Sequence, residues 1–164
     1  MAENQEELIV EIWKKVIDVQ QHFNDIELRI RNMAITLLTA VFGAVAFAVQ
    51  GDMKVIIHGA QVKVGSLLLW LFLMAWGAFY FMDRFWYHRL LYGAVEHAME
   101  IENNNPNLPL GLSTSVKKAS PLLFGCIRID SKRKIDIFYL SIFLFLLLLG
   151  FAVQFLTGPK SPTA

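Results

Sequence analysis

The chain has 164 residues, of which 55% are hydrophobic and 18% are charged, and its formal net charge is +1. Soluble globular proteins average roughly 45–50% apolar and about 25% charged residues, so the composition excludes a disordered chain and disfavours an ordinary soluble enzyme. The low net charge disfavours a nucleic-acid-binding protein, which would carry a dense basic face. The single cysteine, Cys126, cannot form an intrachain disulfide. We therefore expect a membrane protein.

Residues 5–32 carry an amphipathic pattern with a regular apolar seam. The spacing alternates between three and four residues, as in a coiled coil, and no proline or glycine interrupts residues 3–42. We therefore expect one long helix that continues into a first membrane span. Its seam could pack on the chain's own cytosolic helix, on copies of itself, or on the lipid surface. The seam residues are Ile9, Ile12, Val16, Val19, Phe23, Ile26 and Ile30.

Three segments without charged residues, 33–49, 65–82 and 137–157, predict membrane-spanning helices. A spanning helix needs about 20 apolar residues, with a range of about 17–25, and these segments fall within that range. None of them contains Asp, Glu, Lys, Arg or His. Proton pumps, charge-coupled transporters and voltage sensors need such residues inside the membrane. The sequence therefore disfavours those three classes.

The first and third spans differ in the size of their side chains. The first carries a row of small residues, which allow helices to approach closely in lipid. Their partner could be the second span or another subunit. The third span is bulky on all sides, which indicates a lipid-facing anchor or, in an oligomer, a hydrophobic gate. The small residues are Thr36, Ala40, Gly43, Ala44 and Ala48.

The segments between the spans have distinct patterns. Residues 51–64 form an outer loop whose β-branched residues flank His58-Gly59, which favours a small β-hairpin. Residues 83–135 form a cytosolic segment, which we expect to be helical to about residue 102. Prolines and glycine in 103–111 end that helix. The apolar run 121–129 is too short to span a membrane, so we expect it to be docked or interfacial.

The distribution of lysine and arginine predicts the orientation in the membrane. Twelve of these residues precede the first span or lie between the second and third, and three lie on the other side. Because the cationic side stays in the cytoplasm, we expect a cytoplasmic N-terminus and an outer C-terminus. The tail, 158–164, has two prolines and is expected to be disordered.

Few residues suggest chemistry. His88, Glu96, His97 and Glu100 share the helix after the second span, but they match no HExxH motif, and no second ligand cluster occurs. We therefore predict no catalytic residue, no metal and no cofactor. Six basic residues could contact a ligand phosphate or anionic lipids, and charges that set the topology explain them equally well. These residues are Lys117, Lys118, Arg128, Lys132, Arg133 and Lys134.

The order of these elements resembles that of small bacterial membrane proteins typified by SLATT-type two-span effector domains of phage-defence and nucleotide-signalling operons. The likeness lies in HFNDIELRIRNMAITLL (22–38) and DRFWYHRLLYGAVEHAMEIE (83–102), and it covers residues 5–102. This chain departs from the pattern by its third span. The resemblance implies an oligomeric effector in the bacterial inner membrane, which breaches or depolarises that membrane when a cytosolic sensor protein or a nucleotide signals.

The sequence thus predicts an all-α membrane protein with three transmembrane helices. A long amphipathic N-terminal helix continues into the first span, and a cytosolic helical segment separates the second span from the third. Three functions remain open: a pore-forming or membrane-perturbing homo-oligomer, a non-conducting scaffold or sensor subunit that recruits a cytosolic partner, and an enzyme that uses His88, Glu96 and His97.

Overall fold

The computed structural model describes residues 2–124 and 127–156 of the chain. A π-helix, Met82–Tyr87, joins the α-helices Val64–Phe81 and His88–Asn104 without a break. The remaining elements, in chain order, are α1 (Ala2–Gln50), β1 (Lys54–Ile57), β2 (Ala60–Lys63), α2 (Val64–Phe81), α3 (His88–Asn104), α4 (Leu112–Ala119), β3 (Leu122–Phe124), β4 (Ile127–Ile129) and α5 (Ser131–Leu156).

Three helices are long and apolar enough to cross a membrane, which confirms this part of the sequence prediction. They lie within Asn4–Gln50, Val64–Asn104 and Ser131–Phe155. The apolar part of each is flanked by charged residues, as expected where a helix leaves the hydrocarbon for water. The predicted disordered tail, 158–164, lies outside the described residues.

Helix α1 is a single helix of 49 residues. Residues 3–42 contain neither of the two residues that most disfavour a helix interior, glycine and proline, and the helix continues through the single glycine Gly43. The helix ends at Gln50, just before Asp52, which has a φ of 45°. A positive φ takes the chain out of the right-handed helical region. The helix thus spans both the amphipathic segment 5–32 and the first apolar segment 33–49.

Backbone contacts divide the chain into two compact units. The first contains residues 1–30 and 81–136, and we call it the polar unit because it holds most of the charged residues. The second contains residues 31–80 and 137–164, and we call it the apolar unit. Each unit combines part of α1 with segments that are distant in sequence, so both depend on long-range packing.

The apolar unit holds the β1–β2 hairpin. Its strands are antiparallel and joined by His58 and Gly59, which both have positive φ, as in a type I′ turn. Because an isolated hairpin is marginal in water, its attachment to α5 matters. The Gln154 side chain accepts a hydrogen bond from the Lys63 amide (3.0 Å) and donates one to the Gln61 carbonyl (3.1 Å). One side chain of α5 thus holds β2 in place.

Aromatic packing joins α2 to α5 in the apolar unit. The Trp76 side chain is 1% exposed, and its indole Nε1 donates to the Tyr139 carbonyl at 3.0 Å. The Trp76 and Tyr139 rings lie 5.1 Å apart. Further along α5, Gly150 faces the Trp70 indole, which a larger residue would meet at once. These contacts fix which side of α5 faces α2.

The polar unit contains a second hairpin, which the sequence analysis missed. Strands β3 and β4 are antiparallel, with Leu122 opposite Ile129 and Phe124 opposite Ile127. The segment 83–135 is therefore helical only in part. Strands of three residues are too short to show the alternation on which strand prediction depends, and this run reads as a continuous apolar segment.

We predict that Gly150→Ala destabilises the protein. A Cβ at this position would lie 2.5 Å from the Trp70 Nε1 atom and 2.9 Å from its Cδ1 atom, and overpacking of this kind costs about 1–3 kcal/mol. Gly77→Ala is the matched control, because a Cβ there meets no atom within 4 Å. Thermal unfolding in detergent should show a lower midpoint for Gly150→Ala alone. Equal midpoints for the two variants would contradict this packing.

Candidate functional site

Three side chains on one side of α1 make long-range hydrogen bonds within the polar unit. Trp13, Gln20 and Glu27 are seven residues apart in sequence, so they lie in one row along the helix. Each makes a hydrogen bond to a group at least 61 residues later in the chain. We call this row and its partners the polar ladder.

The Glu102 carboxylate forms one end of the ladder. It accepts a hydrogen bond from the Trp13 indole (3.1 Å), from the Ser113 amide (2.8 Å), and from the Thr114 amide (2.9 Å) and hydroxyl (2.7 Å). The two amides belong to the first turn of α4, whose amides have no partner within the helix. A carboxylate from α3 therefore caps α4 and links it to α1.

Gln20 makes the middle contact of the ladder. The buried pair of Glu27 and His88 forms its other end. The Gln20 Nε2 atom donates to the Ala94 carbonyl (3.2 Å) and to the Ser113 hydroxyl (3.1 Å). Glu27 and His88 are 4% and 7% exposed, and the His88 Nδ1 atom lies 3.1 Å from the Glu27 carboxylate. Both side chains thus lie between α1 and the start of α3.

The polar ladder determines the register between α1 and α3 more than the strength of their association. A buried hydrogen bond contributes about 0.5–1.5 kcal/mol net, but losing one partner leaves the other buried and costs more. A shift of α1 by one turn would break all three contacts at once. Polar contacts therefore fix the register of this helix pair.

The π-helix places two charged residues in the polar unit. Asp83 is fully buried, and the Arg84 Nε atom lies 2.9 Å from the Asp136 carboxylate at the start of α5. The Arg84 guanidinium also lies over the Phe85 ring, 5.5 Å from its centre. π-Helices are rare and often occur at functional positions. This π-helix rotates the side chains of α3 about the helix axis, relative to the directions that they would have after a continuous α-helix.

The predicted seam of α1 is covered on one side only. Ile30 is buried, whereas Ile12 and Val19 are 45% and 44% exposed. The covered side of α1 is centred instead on Trp13, Gln20 and Glu27. A search for apolar spacing could not find that row, because two of its members are polar. The half-buried seam residues are Ile9, Val16, Phe23 and Ile26.

The small residues of the first span divide between two environments. Ala48 is 3% exposed and packs within the apolar unit. The other four lie on the exposed side of α1, opposite the buried residues Ala34, Leu38 and Val45. These four exposed residues are Thr36, Ala40, Gly43 and Ala44.

Several of the predicted phosphate contacts are occupied by partners within the polar unit. Lys117 forms an ion pair with Glu96, and hydrogen bonding to that carboxylate raises the pKa of the Lys117 ammonium. Lys132 lies over the Tyr92 ring at 4.6 Å, and Lys134 donates to the Ser120 carbonyl at 2.6 Å.

The other predicted phosphate contacts are less informative. Lys118 and Arg133 are exposed, and Arg133 has a further interaction within the chain. The side chain of Arg128 lies outside the described part of the structure.

The residues considered for chemistry are dispersed. His88 faces Glu27, Glu96 faces Lys117, and the exposed His97 lies 3.8 Å from Glu100. Across residues 2–124 and 127–156, no group of three or more His, Cys, Asp or Glu side chains could hold a metal ion.

Comparison with protein-family models, with curated proteins and with solved structures finds no match to this chain.

We predict that Glu102→Ala releases α4 from the polar unit. The change removes every hydrogen bond that the carboxylate accepts, and bonds to a charged group contribute about 1.5–3 kcal/mol each. Because Glu100 is an exposed carboxylate on the same helix, Glu100→Ala is the matched control, with an expected effect within about 0.5 kcal/mol. Hydrogen exchange should accelerate in peptides covering 112–119 for Glu102→Ala only. Unchanged exchange there would show that the cap does not hold α4.

Proposed function

We propose that the protein is an oligomeric effector of the bacterial inner membrane, which forms a pore or perturbs the membrane when a cytosolic signal acts on its polar unit. The N-terminus and the segment 83–135 lie in the cytoplasm in this proposal, as the distribution of lysine and arginine indicates. A role in antiphage defence rests on the resemblance of residues 22–38 and 83–102 to SLATT-type effectors.

The observation that carries the proposal is the exposed small-residue face of α1. Thr36, Ala40, Gly43 and Ala44 are exposed on a helix that is apolar enough to cross a membrane. Small side chains gain little by facing lipid, whereas they allow two helices to approach closely and pack. The hydroxyl of Thr36 donates to the Asn32 carbonyl at 2.8 Å, so it is satisfied without a partner helix. The face is therefore suited to packing against another copy.

The large residues of α5 suit the wall or gate of such an assembly. Leu148 and Phe155 are 68% and 74% exposed, and no Asp, Glu, Lys, Arg or His interrupts 137–157. A constriction lined by such side chains closes by expelling water. A pore of this kind needs no charged group inside the membrane, which agrees with the composition of all three spans.

The polar ladder supports a regulated pore. Contacts that consist of hydrogen bonds and a buried acid–histidine pair depend on precise geometry, so a partner or ligand that competes for one contact weakens the others. The expected triggers are a cytosolic sensor protein or a nucleotide signal, and the lipid bilayer is the expected constant partner.

A non-conducting scaffold or sensor subunit is the second candidate. A groove on the polar unit favours it. Apolar residues of α1 line the groove together with Ala94 of α3, and both acidic and basic side chains border it. The lining residues are Leu8, Glu11, Ile12, Lys14, Lys15, Val16, Asp18, Val19, Ala94 and His97. An apolar groove between helices can accept an amphipathic helix of a cytosolic partner. This candidate predicts recruitment of a soluble protein without ion flux.

We predict that Ala44→Leu reduces ion flux through proteoliposomes at least tenfold while the protein still inserts into the membrane. A leucine on the small-residue face prevents close helix approach. Ala46→Leu is the matched control, since Ala46 is also exposed but lies on another side of α1. Flux should be measured at equal protein-to-lipid ratios, with the oligomeric size read from the same preparation.

The outcomes separate the candidates. Flux that falls for Ala44→Leu and persists for Ala46→Leu supports a conducting assembly built on the small-residue face. Equal flux in both variants would mean that this face is not the conducting interface. Absence of flux in the unaltered protein, in liposomes and in stressed cells alike, would favour the scaffold.

A further inference from the structure

We propose that the first six residues of α5 are a clamp, through which the polar unit controls the placement of this helix. The clamp is the segment 131–136, which directly precedes the apolar segment 137–157. The inference rests on the proposed function, in which α5 is the wall or gate of the pore, and it names the contacts that regulate that helix. The segment belongs to the polar unit together with all the partners that hold it.

The π-helix holds the end of the clamp that adjoins the apolar segment. The Arg84 Nε atom donates to the Asp136 carboxylate at 2.9 Å. The Arg84 side chain is 19% exposed, so water and salt screen this ion pair less than they screen a fully exposed one. Asp136 is the last residue before the apolar segment. The ion pair therefore fixes the position of α5 where its apolar part begins.

The first turn of the clamp is held by α3 and by the end of α4. The Lys132 Nζ atom lies 4.6 Å from the centre of the Tyr92 ring. The Lys134 Nζ atom donates to the Ser120 carbonyl at 2.6 Å, and the Ser120 and Ser131 hydroxyl oxygens lie 2.6 Å apart. Ser120 directly follows α4. Three parts of the polar unit thus contact six residues of α5.

The first turn of α5 depends on these partners because of its own charges. Lys132, Arg133 and Lys134 all lie at the N-terminal end of the helix. Cations at this end meet the positive pole of the helix dipole, which disfavours them. Lys132 and Lys134 are stabilised instead by Tyr92 and Ser120. A rearrangement of the polar unit therefore removes contacts that the helix cannot replace by itself.

The clamp is continuous with the polar ladder. Glu102 caps the first turn of α4 and accepts a hydrogen bond from Trp13 of α1. At the other end of α4, Ser120 contacts the clamp. Chains of hydrogen bonds and rigid helices of this kind can carry coupling between distant sites. We therefore expect that opening of the ladder loosens the clamp through α4.

Helix α5 is continuous from the clamp to Leu156. A displacement of its first turns therefore moves the apolar residues that follow in the same helix. With the clamp closed, α5 keeps the placement that shuts the proposed pore. With the clamp open, the helix is released and conduction increases.

A charge exchange tests the clamp directly. Arg84→Glu and Asp136→Arg each replace an ion pair by two like charges, so each should accelerate hydrogen exchange in peptides covering 131–136 about tenfold. The two changes together in one chain should restore slow exchange, because the pair is then reversed and not lost. Arg89→Glu is the matched control with the same change of charge, since Arg89 is exposed on α3. An additive acceleration in the double variant would overturn the clamp, since general destabilisation cannot produce a restoration.

Ion flux through proteoliposomes gives the functional readout of the same variants. Each single reversal should raise the basal flux at least threefold at equal protein-to-lipid ratios, and the double variant should return it to the level of the unaltered protein. Basal flux that is the same in all four forms, in a protein that conducts, would contradict control of α5 by the clamp.

The link through α4 has its own test. Glu102→Ala should accelerate hydrogen exchange in 131–136 as well as in 112–119, whereas Glu100→Ala should leave both segments unchanged. Acceleration that is confined to 112–119 would show that the ladder does not reach the clamp.

Failure of this inference is distinguishable from failure of the proposed function. Hydrogen exchange reports on the clamp whether or not the protein conducts. A chain that never conducts, but whose exchange follows the charge reversals and their combination, retains the clamp and loses the pore. A chain that conducts, but whose exchange ignores the reversals, retains the pore and loses the clamp.

Discussion

The structure depends on the fact that one chain covers only one side of α1. This helix has 49 residues, and its covered side runs through Trp13, Gln20 and Glu27 in the polar unit and through Ala34 and Val45 in the apolar unit. On the opposite side, the small residues of the first span stay exposed, and Ile12 and Val19 stay nearly half exposed next to the covered side. Because small residues on a spanning helix allow close packing against another helix, the uncovered side connects the fold with the proposed assembly.

The two units are stabilised by different physical interactions. In the apolar unit, the main contacts are between aromatic rings, as for Trp76 with Tyr139, and between a ring and the backbone of another helix, as for Trp70 with Gly150. In the polar unit, hydrogen bonds to Glu102 and His88 determine the pairing. Packing of the first kind is not directional, whereas each polar contact needs a donor and an acceptor in matching positions. The proposed function uses this difference, with a stable membrane part and a cytosolic part that responds.

Local sequence information predicts the helices and not their contacts. Three apolar helices could be predicted because each depends on a continuous stretch of residues. The cap by Glu102 could not, since its amides lie 11 and 12 residues later, beyond a loop whose path no local pattern specifies. The contact of Gln154 in α5 with strand β2 joins residues that are more than 90 positions apart in the sequence. The row Trp13–Gln20–Glu27 was missed because a seam defined by apolar spacing gives no weight to polar residues that pair across helices.

The most direct test of the central claim is the mass of the assembly in lipid nanodiscs, measured by native mass spectrometry over a range of protein concentrations. If the uncovered side of α1 is an interface between copies, a complex of two or more chains should dominate. The mass of that complex should stay the same as the protein concentration is lowered. A protein that remains a single chain at every concentration, while retaining its helical content, would contradict the account.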